Sequence, residues 1–537
     1  MSGSMMDMPL TISSLIKHAA QYHPETEVVS AELDGSVQTS NWKTVELRSG
    51  QIASALTKLG VTSGQRVATI AMNNMRHLEL YFGISGAGFV CHTINPRLFP
   101  EQLIYIVNHA EDEVVFFEAP FLPLIAKLHV KMPNVKYFVL MGPKNEEQAA
   151  AVPGLMFYDE LIKTGYEGYV WPDLDERHPS SLCYTSGTTG NPKGVQYTHR
   201  STVLHSLTVI APDSCSISAR DSMLVVVPMF HVNAWGLPYA SAITGAKLVL
   251  PGFKLDGDSL LEIIHDQAVS FAAGVPTIWA GLLSSLAASD KGVGALNRTI
   301  VGGAACPPSM MAIFRDQYGV DVIHGWGMTE TSPIGTINQP LKKHENLSKE
   351  QMATLRTHQG RPPYGVQLQL VDDDGFVITD PQKQGALQIR GHWIVDHYFG
   401  QEQSALENGW FDTGDIATID QDGFMTICDR AKDVIKSGGE WISSVELEGI
   451  AVSHPDVSDA AAIGVPHPQW DERPVLLVKA AEDASPDEAD ILTYFTDKVA
   501  KWQIPDRVIV VEDMVRNATG KIPKQDLRKK YAGLLSD

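Results

Sequence analysis

The sequence is poor in cysteine and short of basic residues. Five cysteines are scattered over 537 residues without a CxxC pair, which argues against a disulfide framework and predicts reduced core thiols. Cys306 follows a run of small residues, and we expect it to be a buried hydrophobe rather than a nucleophile. Lysine and arginine total 42 against 63 acidic residues, a net charge of -21, which excludes a general nucleic-acid binder.

Targeting signals and long hydrophobic runs are also scarce. Residues 1–10 carry no basic region followed by an apolar stretch, so we expect no signal peptide. One uncharged run, 268–288, has 21 residues and is long enough for a membrane span. Because Gly274-Val275-Pro276-Thr277 interrupts it, we predict instead a buried strand, Val269–Ala273, followed by a buried helix, Ile278–Leu286.

The first 360 residues alternate between helical patterns, such as Trp42–Leu59, and short apolar runs rich in β-branched residues. Such runs, separated by helices, are typical of a parallel sheet covered on both faces. The predicted strands are Arg66–Ala71, Val114–Phe117, Lys136–Leu140, Met223–Val227 and Ala246–Leu250. A chain of this length predicts three or four folding units.

The pattern changes after about residue 360. Strands at Val366–Asp372, Gly385–Arg390 and within 417–427, joined by Asp-Gly turns, predict a small β-rich subdomain. The last hundred residues predict an α/β unit. Its elements are the strands Asp459–Val465, Pro474–Ala480 and Arg507–Val511 and the helix Ile491–Lys501. We expect a domain boundary near 430–433.

One stretch concentrates positive charge in this acidic chain. Its cations are Arg516, Lys521, Lys524, Arg528, Lys529 and Lys530. It could neutralise an anionic substrate, or it could be a solvated basic tail, the commoner case for charge runs.

The strongest functional signal is 184–195, which reads Tyr-Thr-Ser-Gly-Thr-Thr-Gly-Asn-Pro-Lys-Gly-Val. Glycine lets backbone N–H groups close on an anion, hydroxyls add donors, and Lys193 adds positive charge. This composition suits a polyphosphate. It is not a Walker A loop, because no glycine lies five residues before a Gly-Lys-Ser/Thr ending. A flexible surface turn is the alternative.

This stretch resembles the phosphate loop of the adenylate-forming superfamily, which comprises acyl-CoA synthetases, luciferases and the adenylation domains of peptide synthetases. Residues 325–333, Gly-Trp-Gly-Met-Thr-Glu-Thr-Ser-Pro, resemble the family's second nucleotide motif, and 411–415 resemble its ribose motif. Residues 430–446 resemble its hinge and the start of a mobile C-terminal domain. Residues 519–522 resemble the motif of its catalytic lysine. Asp429 departs from the glycine that the family often has before the hinge arginine.

The resemblance implies an α/β fold with a large N-terminal domain, 1–431. This domain would hold two α/β subdomains and a small β-barrel-like subdomain at about 360–431. A small mobile α+β domain, 432–537, would follow. The implied activity joins a carboxylic acid to coenzyme A (CoA) through an acyl-adenylate, with ATP, Mg2+ and CoA as cofactors. A cytoplasmic homodimer without a membrane span or nucleic-acid partner is expected. Bacterial medium-chain acyl-CoA synthetases are most similar, and 3-(methylthio)propanoate is the specific acid expected.

The resemblance also implies roles for individual residues. Lys521, Glu330 and Thr329 would be catalytic, and Glu330 would ligate Mg2+. Asp415 and Arg430 would bind the ribose, although an aspartate after Thr-Gly is as often a turn or cap. The residues expected to contact ATP or CoA are Thr185, Ser186, Gly187, Thr188, Thr189, Gly190, Lys193, Gly303, Ala304, Ala305, His324, Gly325, Trp326, Gly327, Met328, Asp415, Arg430, Lys432, Lys436, Gly438, Gly439, Glu440 and Trp441.

The sequence indicates the acid substrate less clearly than it indicates the reaction. The residues expected to line the acid site are His231, Trp235, Gly302, Trp326 and Pro333. Residues 228–236 lack the aspartate with which amino-acid-activating members pair an ammonium, so an amino-acid substrate is disfavoured. His231 could be a pocket wall, a gate or a base. The two tryptophans could narrow the tunnel or belong to the core.

Three alternatives stay open at this point. The enzyme could load a separate carrier protein instead of free CoA. The chain could be a non-catalytic sensor of ATP or acyl-adenylate, which intact Lys193, Glu330 and Lys521 disfavour. A luciferase-type oxygenating activity is compatible with the motifs.

Overall fold

The computed structural model of the chain describes residues 3–185, 191–381, 383–438, 440–516 and 522–535. The chain divides into two units, which are described separately below. The first unit contains residues up to 367 together with 390–409, and the second contains 368–389 together with the residues from 410 onward. The domain boundary predicted at 431/432 lies inside the second unit and stays a prediction.

A seven-stranded sheet forms one half of the first unit. Its strands, in order, are Met156–Phe157, Tyr137–Leu140, Val114–Phe117, Arg66–Ile70, Val90–Thr93, Pro179–Thr185 and Lys193–Thr198. The first six are parallel, and only the edge strand Lys193–Thr198 is antiparallel to its neighbour. The three strands predicted between residues 66 and 140 are therefore confirmed. The segment that resembles a phosphate loop joins the last two strands.

An eight-stranded sheet forms the other half of this unit. Its strands, in order, are Ile334–Ile337, Asp321–Gly327, Arg298–Val301, Phe271–Gly274, Ser222–Val225, Lys247–Leu250, Glu27–Ala31 and Val37–Asn41. The six central strands are parallel and both edge strands are antiparallel. Parallel strands end at one edge, and ligands of open α/β sheets bind outside that edge.

Helices connect these strands. The α-helices of this unit are Ile12–Tyr22, Trp42–Lys58, Met75–Gly86, Pro100–Ala110, Leu122–Leu128, Glu146–Ala149, Tyr158–Leu161, His199–Ile210, Leu237–Thr244, Gly257–Asp266, Pro276–Ala287, Pro308–Tyr318 and Lys349–Thr357. The uncharged run 268–288 becomes a strand and a helix, as predicted. No helix in the described parts of the chain is long and apolar enough to cross a membrane.

The second unit contains the predicted β-rich segment. Its strands are Val377–Ile378, most of Val366–Val371 and of Gly385–Gly391, Trp410–Ile419 and Met425–Arg430, whereas the two-residue strand Leu406–Glu407 belongs to the first unit. Trp410–Ile419 and Met425–Arg430 form an antiparallel hairpin. The Asp420 side chain accepts hydrogen bonds from the backbone N–H groups of Asp422 and Phe424, which fixes the predicted turn.

An α+β segment completes the second unit. Its strands are Ile435–Ser437, Glu440–Ile442, Val457–His467, Asp471–Ala480 and Arg507–Val511, and its helices are Ser444–Val452, Glu488–Tyr494 and Lys524–Tyr531. The predicted fold class is confirmed. The helix predicted at Ile491–Lys501 is wrong at both ends: it begins at Glu488 and stops at Tyr494, and Asp497 has a left-handed backbone conformation (φ 64°) that rules out a helix continuing to Lys501.

All five cysteines are free thiols, as predicted. Cys306 is 5% exposed. Burial raises the pKa of its thiol to about 12, so at neutral pH it is protonated and a poor nucleophile. The assignment of Cys306 to the core is confirmed.

Four of the buried histidines of the first unit have lowered pKa values. Burial lowers the pKa of His205 to about 3 and the pKa values of His77, His199 and His324 to about 4. They are neutral in the folded chain at pH 7. In an unfolded chain they take up protons near pH 6.5. Glu118 has the opposite effect on the pH dependence of stability, because burial raises its pKa to about 7 and it binds a proton in the folded chain first.

We therefore expect stability to fall on acidification. Between pH 6.5 and 4 these four histidines bind protons in the unfolded chain but not in the folded chain, so their contribution to the free energy of unfolding decreases as the pH falls. Each histidine contributes about 2 kcal/mol to the decrease in the free energy of unfolding between pH 6.5 and 5. The four histidines together outweigh the opposite contribution of Glu118. The midpoint of urea unfolding should be lower at pH 5.0 than at pH 7.5, and His205→Gln should reduce the difference. An unchanged or higher midpoint at pH 5.0 would contradict this account.

Candidate active site

The carboxyl edge of the eight-stranded sheet brings the predicted acid and nucleotide segments together. A methyl group on Gly302 would lie 3.1 Å from the Gly325 carbonyl oxygen and 3.3 Å from the Trp235 ring. Gly302 directly follows the strand Arg298–Val301, and Gly325 lies on the neighbouring strand Asp321–Gly327, whereas Trp235 follows the strand Ser222–Val225. The three segments therefore meet at one place, where glycine permits a close approach.

The second nucleotide motif folds into a tight loop at the same edge. A methyl group on Gly327 would lie 1.7 Å from the Pro333 carbonyl oxygen, so only glycine fits. The Thr331 hydroxyl donates a hydrogen bond to that same oxygen and accepts one of 2.9 Å from the Met328 N–H. Trp326 and Pro333, both predicted to line the acid site, are half-buried.

Tyr398 joins the two charged residues predicted to handle phosphates and metal. Its hydroxyl donates a hydrogen bond of 2.9 Å to Glu330 Oε1, and Glu330 is only 6% exposed. The ammonium of Lys193 lies 4.7 Å from the centre of the Tyr398 ring, within the range of a cation–π contact. Residues from the phosphate-loop segment and from the second nucleotide motif therefore meet on one side chain.

The chemistry of Tyr398 suits this position. Burial, followed by the nearby Glu330 carboxylate, raises the pKa of the Tyr398 phenol well above its ordinary value. The phenol is thus protonated at any working pH and serves as a fixed donor. This donor helps to fix the orientation of the Glu330 carboxylate.

Thr329, next to Glu330, is held from the other side. The Tyr197 hydroxyl donates a hydrogen bond of 2.7 Å to the Thr329 carbonyl oxygen, and both residues are buried. Tyr197 lies on the edge strand that follows the phosphate-loop segment. The segment and the second motif are therefore connected twice, through Tyr398 and through Tyr197.

His324 has a structural contact in addition to its predicted place beside the nucleotide. Its Nδ1 atom donates a hydrogen bond of 3.0 Å to the Thr357 carbonyl oxygen, and the side chain is 2% exposed. Because burial lowers its pKa to about 4, the ring is neutral and supplies no charge to a phosphate. The predicted nucleotide contact stays a prediction.

The other predicted residues of the first unit differ in accessibility. Lys193, His231 and Gly303–Ala305 are exposed, and Thr185 and Trp235 are half-buried. Surface groups of this kind can reach a ligand without rearrangement of the core.

Asp415 and Arg430, predicted to bind ribose, form an ion pair in the second unit. The Arg430 Nε atom lies 2.7 Å from an Asp415 carboxylate oxygen. Asp415 is buried and the Arg430 side chain is 41% exposed. The arginine offsets the cost of burying the carboxylate. This supports the expectation that they act together, and their contact with ribose stays a prediction.

Two tryptophans accompany the stretch 436–441, most of whose residues are expected to contact ATP or CoA: Trp441 lies in the stretch, and Trp470 packs against it. The Lys436 ammonium lies 5.8 Å from the centre of the Trp441 ring. Gly438 has a left-handed backbone (φ 62°) and its N–H donates a hydrogen bond of 2.8 Å to the Trp470 carbonyl oxygen. A methyl group there would lie 3.0 Å from the Trp470 ring, so glycine is required. Lys432, which lies in the stretch that resembles the family's hinge, is exposed.

Asp429, which stands where the family often has glycine, forms hydrogen bonds that stabilise the second unit. Its carboxylate accepts hydrogen bonds from the backbone N–H groups of Ser444 (2.5 Å) and Arg430 (2.7 Å). Lys524 lies 2.6 Å from Glu448 Oε1 and donates to the Ser444 hydroxyl. Burial raises the pKa of Asp429, and nearby Lys524 opposes the rise. Asp429 thus joins the hairpin of the second unit to the helix Ser444–Val452.

The basic stretch carries less available charge than its sequence suggests. Arg516 forms an ion pair with Asp459, Lys524 with Glu448, and Arg528 with Glu472. Three of its six cations therefore neutralise carboxylates of the same unit. These three cations are therefore less available to an anionic substrate, which was one of the two alternatives for this stretch.

Some predicted residues lie outside the described parts of the chain. They are Ser186, Gly187, Thr188, Thr189, Gly190, Gly439 and Lys521, together with the side chain of Glu440. Their roles stay predictions.

Tyr398, Tyr197 and Trp470 were missed by the analysis of the sequence. Each lies outside the motif stretches and is separated by at least 30 residues from the group it contacts. No local spacing signals such a contact. An aromatic residue with a polar tip is a common partner for buried polar groups, but that signal is too general to single these three out.

Comparison with known proteins agrees with this geometry. Residues 16–399 match the AMP-binding enzyme family, and 446–521 match the AMP-binding enzyme C-terminal domain. The 3-methylmercaptopropionyl-CoA ligase of Ruegeria pomeroyi is 57% identical over 538 residues, covering 100% of both chains. The medium-chain-fatty-acid–CoA ligase of Ectopseudomonas oleovorans is 57% identical, covering 100% of this chain and 98% of that protein.

A solved structure shows the same fold. The anthranilate CoA ligase AuaEII in complex with anthranoyl-AMP has a TM-score of 0.86 and 25% sequence identity, with 100% of both chains covered. The sequence-based prediction of an AMP-forming acyl-CoA ligase is confirmed, and the chain belongs to the AMP-binding enzyme family.

Proposed function

We propose that the enzyme joins a short or medium-chain carboxylic acid to CoA, with 3-(methylthio)propanoate as its specific acid. The observation that carries this choice is the 57% identity, along the whole chain, to a 3-methylmercaptopropionyl-CoA ligase. A medium-chain fatty acid is the second candidate, because the Ectopseudomonas relative of equal identity bears that name.

In the first half-reaction the acid's carboxylate attacks the α-phosphorus of ATP, an acyl-adenylate forms, and pyrophosphate leaves. Both reactants are anionic, so neutralising charge and aligning them in line are the main tasks. Lys193, exposed beside Tyr398, is suited to the β- and γ-phosphates. Thr329, buried next to Glu330, is suited to positioning the α-phosphate.

Glu330 is the residue that we propose as the ligand of Mg2+. Magnesium prefers carboxylate, water and phosphate oxygens and is usually bound by one or two carboxylates plus the substrate's phosphates. A single buried carboxylate oriented by Tyr398 fits that pattern. In the described residues no group of three histidine, cysteine or acidic side chains forms a metal cage, so the phosphates would complete the coordination. The cation would neutralise charge on the leaving pyrophosphate.

In the second half-reaction the thiol of CoA attacks the acyl carbon, the acyl thioester forms, and AMP leaves with loss of the thiol proton. We propose that Lys521 serves the first step. The segment around Gly438 and Trp441 would line the path of the CoA thiol arm in the second step. The close packing of Gly438 against Trp470 supports a surface on which a slender chain could lie.

The walls around Gly302 suit an uncharged acyl chain. Trp235 is half-buried against Gly302, and Trp326 lies on the neighbouring strand. A thioether beside an indole ring is a favourable contact, worth about 0.3–1.5 kcal/mol. This supports 3-(methylthio)propanoate over an all-carbon acid of the same length.

Three further parts of the proposal rest on fewer observations. Reduced thiols support a cytoplasmic location. A homodimer rests on the family resemblance alone. Loading of a separate carrier protein is the remaining alternative to free CoA.

A screen of acids tests the choice of substrate. We expect CoA-dependent AMP release to be fastest with 3-(methylthio)propanoate in a panel from acetate to decanoate that includes benzoate. Pentanoate is the matched control, because it replaces the sulfur by a methylene group. We expect kcat/KM for the thioether to exceed that for pentanoate by about 2- to 10-fold, the equivalent of one sulfur–aromatic contact.

A maximum at hexanoate to decanoate would contradict the specific acid and favour the medium-chain candidate. AMP release with a carrier protein but not with free CoA would contradict the proposed acceptor.

Lys521→Ala tests the role of the terminal lysine. We expect acyl-adenylate formation to fall on the order of 10²–10³-fold, as for loss of one transition-state donor. Thioester formation from supplied acyl-adenylate should be largely retained. Lys529→Ala, an exposed lysine of the same basic stretch, is the matched control and should leave both steps unchanged. An equal fall in the rates of both half-reactions in Lys521→Ala would contradict a role of this lysine in the first step alone.

A further inference from the structure

A turn of unusual backbone geometry lies beside the candidate acid site. The φ values of Val232, Asn233, Ala234, Trp235 and Gly236 are 47°, 49°, 48°, 57° and 75°. Side chains disfavour this left-handed region, β-branched ones most of all, and only glycine adopts it freely. Four consecutive residues other than glycine in this conformation persist only where the surroundings hold them, and such strain clusters at functional sites.

The Asn233 side chain holds this left-handed turn from within. Asn233 is 4% exposed, and its Nδ2 atom donates a hydrogen bond of 2.8 Å to the Ser181 hydroxyl. Its Oδ1 atom accepts a hydrogen bond of 3.6 Å from the Cys183 thiol. Asparagine is also, after glycine, among the residues that best tolerate a left-handed backbone. Asn233 therefore fits the left-handed backbone and also provides hydrogen-bond partners for the buried Ser181 hydroxyl and Cys183 thiol.

Both partners of Asn233 lie on the strand that leads into the phosphate-loop segment. This strand, Pro179–Thr185, is buried over most of its length. Ser181 pairs with Tyr197 in the ladder between this strand and its edge neighbour, and the Tyr197 hydroxyl holds the Thr329 carbonyl. A continuous buried network thus joins the left-handed turn, the phosphate-loop strand and the second nucleotide motif.

The far end of the left-handed turn is fixed by His205. A methyl group on Gly236 would lie 2.8 Å from His205 Nδ1, so the histidine packs directly against the glycine. His205 Nε2 accepts a hydrogen bond of 3.3 Å from the Ile334 N–H, next to Pro333. Trp235 lies between these two fixed ends, with its ring against Gly302.

We propose that Asn233 is a positioning residue that holds the left-handed turn and so fixes Trp235 as the wall that sets acid length. It would at the same time tie this wall to the strand of the phosphate loop. The inference rests on the proposed function for its substrate, whereas the geometry of the left-handed turn does not depend on any substrate.

Fluorine NMR tests the positioning role without any substrate. Protein labelled with 5-fluorotryptophan gives one resonance that disappears in Trp235→Phe. We expect that resonance to shift or broaden in Asn233→Ala, while the other tryptophan resonances remain in place. Asn233→Gly should show the same change, because glycine accepts the backbone conformation but lacks the tether. An unmoved Trp235 resonance in either variant would overturn the proposal.

The acid profile tests the consequence for specificity. In Asn233→Ala we expect kcat/KM for 3-(methylthio)propanoate to fall at least 10-fold, mainly through a higher KM for the acid, because a wall misplaced by about 1 Å costs this much or more. For octanoate we expect kcat/KM to fall less than about threefold, because this acid does not need a wall at this depth. The KM for ATP should also change less than about threefold, because ATP does not need this wall either.

Asn74→Ala is the matched control. It also removes a buried asparagine, but one that caps the helix Met75–Gly86 and bonds Glu118. It should lower thermal stability and leave the ranking of acids unchanged. An equal loss for all acids in Asn233→Ala would overturn the proposal. If the wild-type enzyme forms no CoA thioester with any acid, the proposed function fails, and the Trp235 resonance still decides whether Asn233 holds the left-handed turn.

Discussion

The need to bring two anions into contact is the constraint on which the rest of the structure depends. A carboxylate and a triphosphate repel each other, and an enzyme of net charge -21 offers little general attraction. Positive charge has to be placed locally. The structure places the Lys193 ammonium against the ring of Tyr398, whose hydroxyl also holds Glu330, the carboxylate that we propose as the ligand of Mg2+.

The sheets explain why this meeting is possible. Parallel strands deliver Gly302, Gly325 and the turn containing Trp235 to one edge, and glycines allow the backbones to come close. Behind this edge, Tyr197 and Asn233 connect segments that are far apart in sequence. Buried hydrogen-bond networks of this kind are rigid when every member is satisfied. Rigidity is useful where small displacements are costly to catalysis.

The sequence predicted what is local and missed what depends on distant contacts. The phosphate-loop segment, the second nucleotide motif and the strands between residues 66 and 140 are contiguous patterns, and periodicity or composition identifies them. Tyr398 contacts a residue 68 positions away, and no pattern announces that. The ion pairs of the basic stretch were not predictable either, because its partners Asp459, Glu448 and Glu472 come from other elements. The helix predicted to reach Lys501 ends early because of a backbone conformation that periodicity does not report.

Exchange of labelled pyrophosphate into ATP tests the central claim most directly. Tyr398→Phe keeps the ring for Lys193 and removes the donor to Glu330, whereas Tyr398→Leu removes both. We expect the exchange rate to fall at least 10-fold in the first variant, with a raised requirement for Mg-ATP, and further in the second. Tyr158→Phe, which removes a comparable buried phenol from Glu79, is the control. Wild-type exchange and Mg-ATP dependence in Tyr398→Phe would contradict the account.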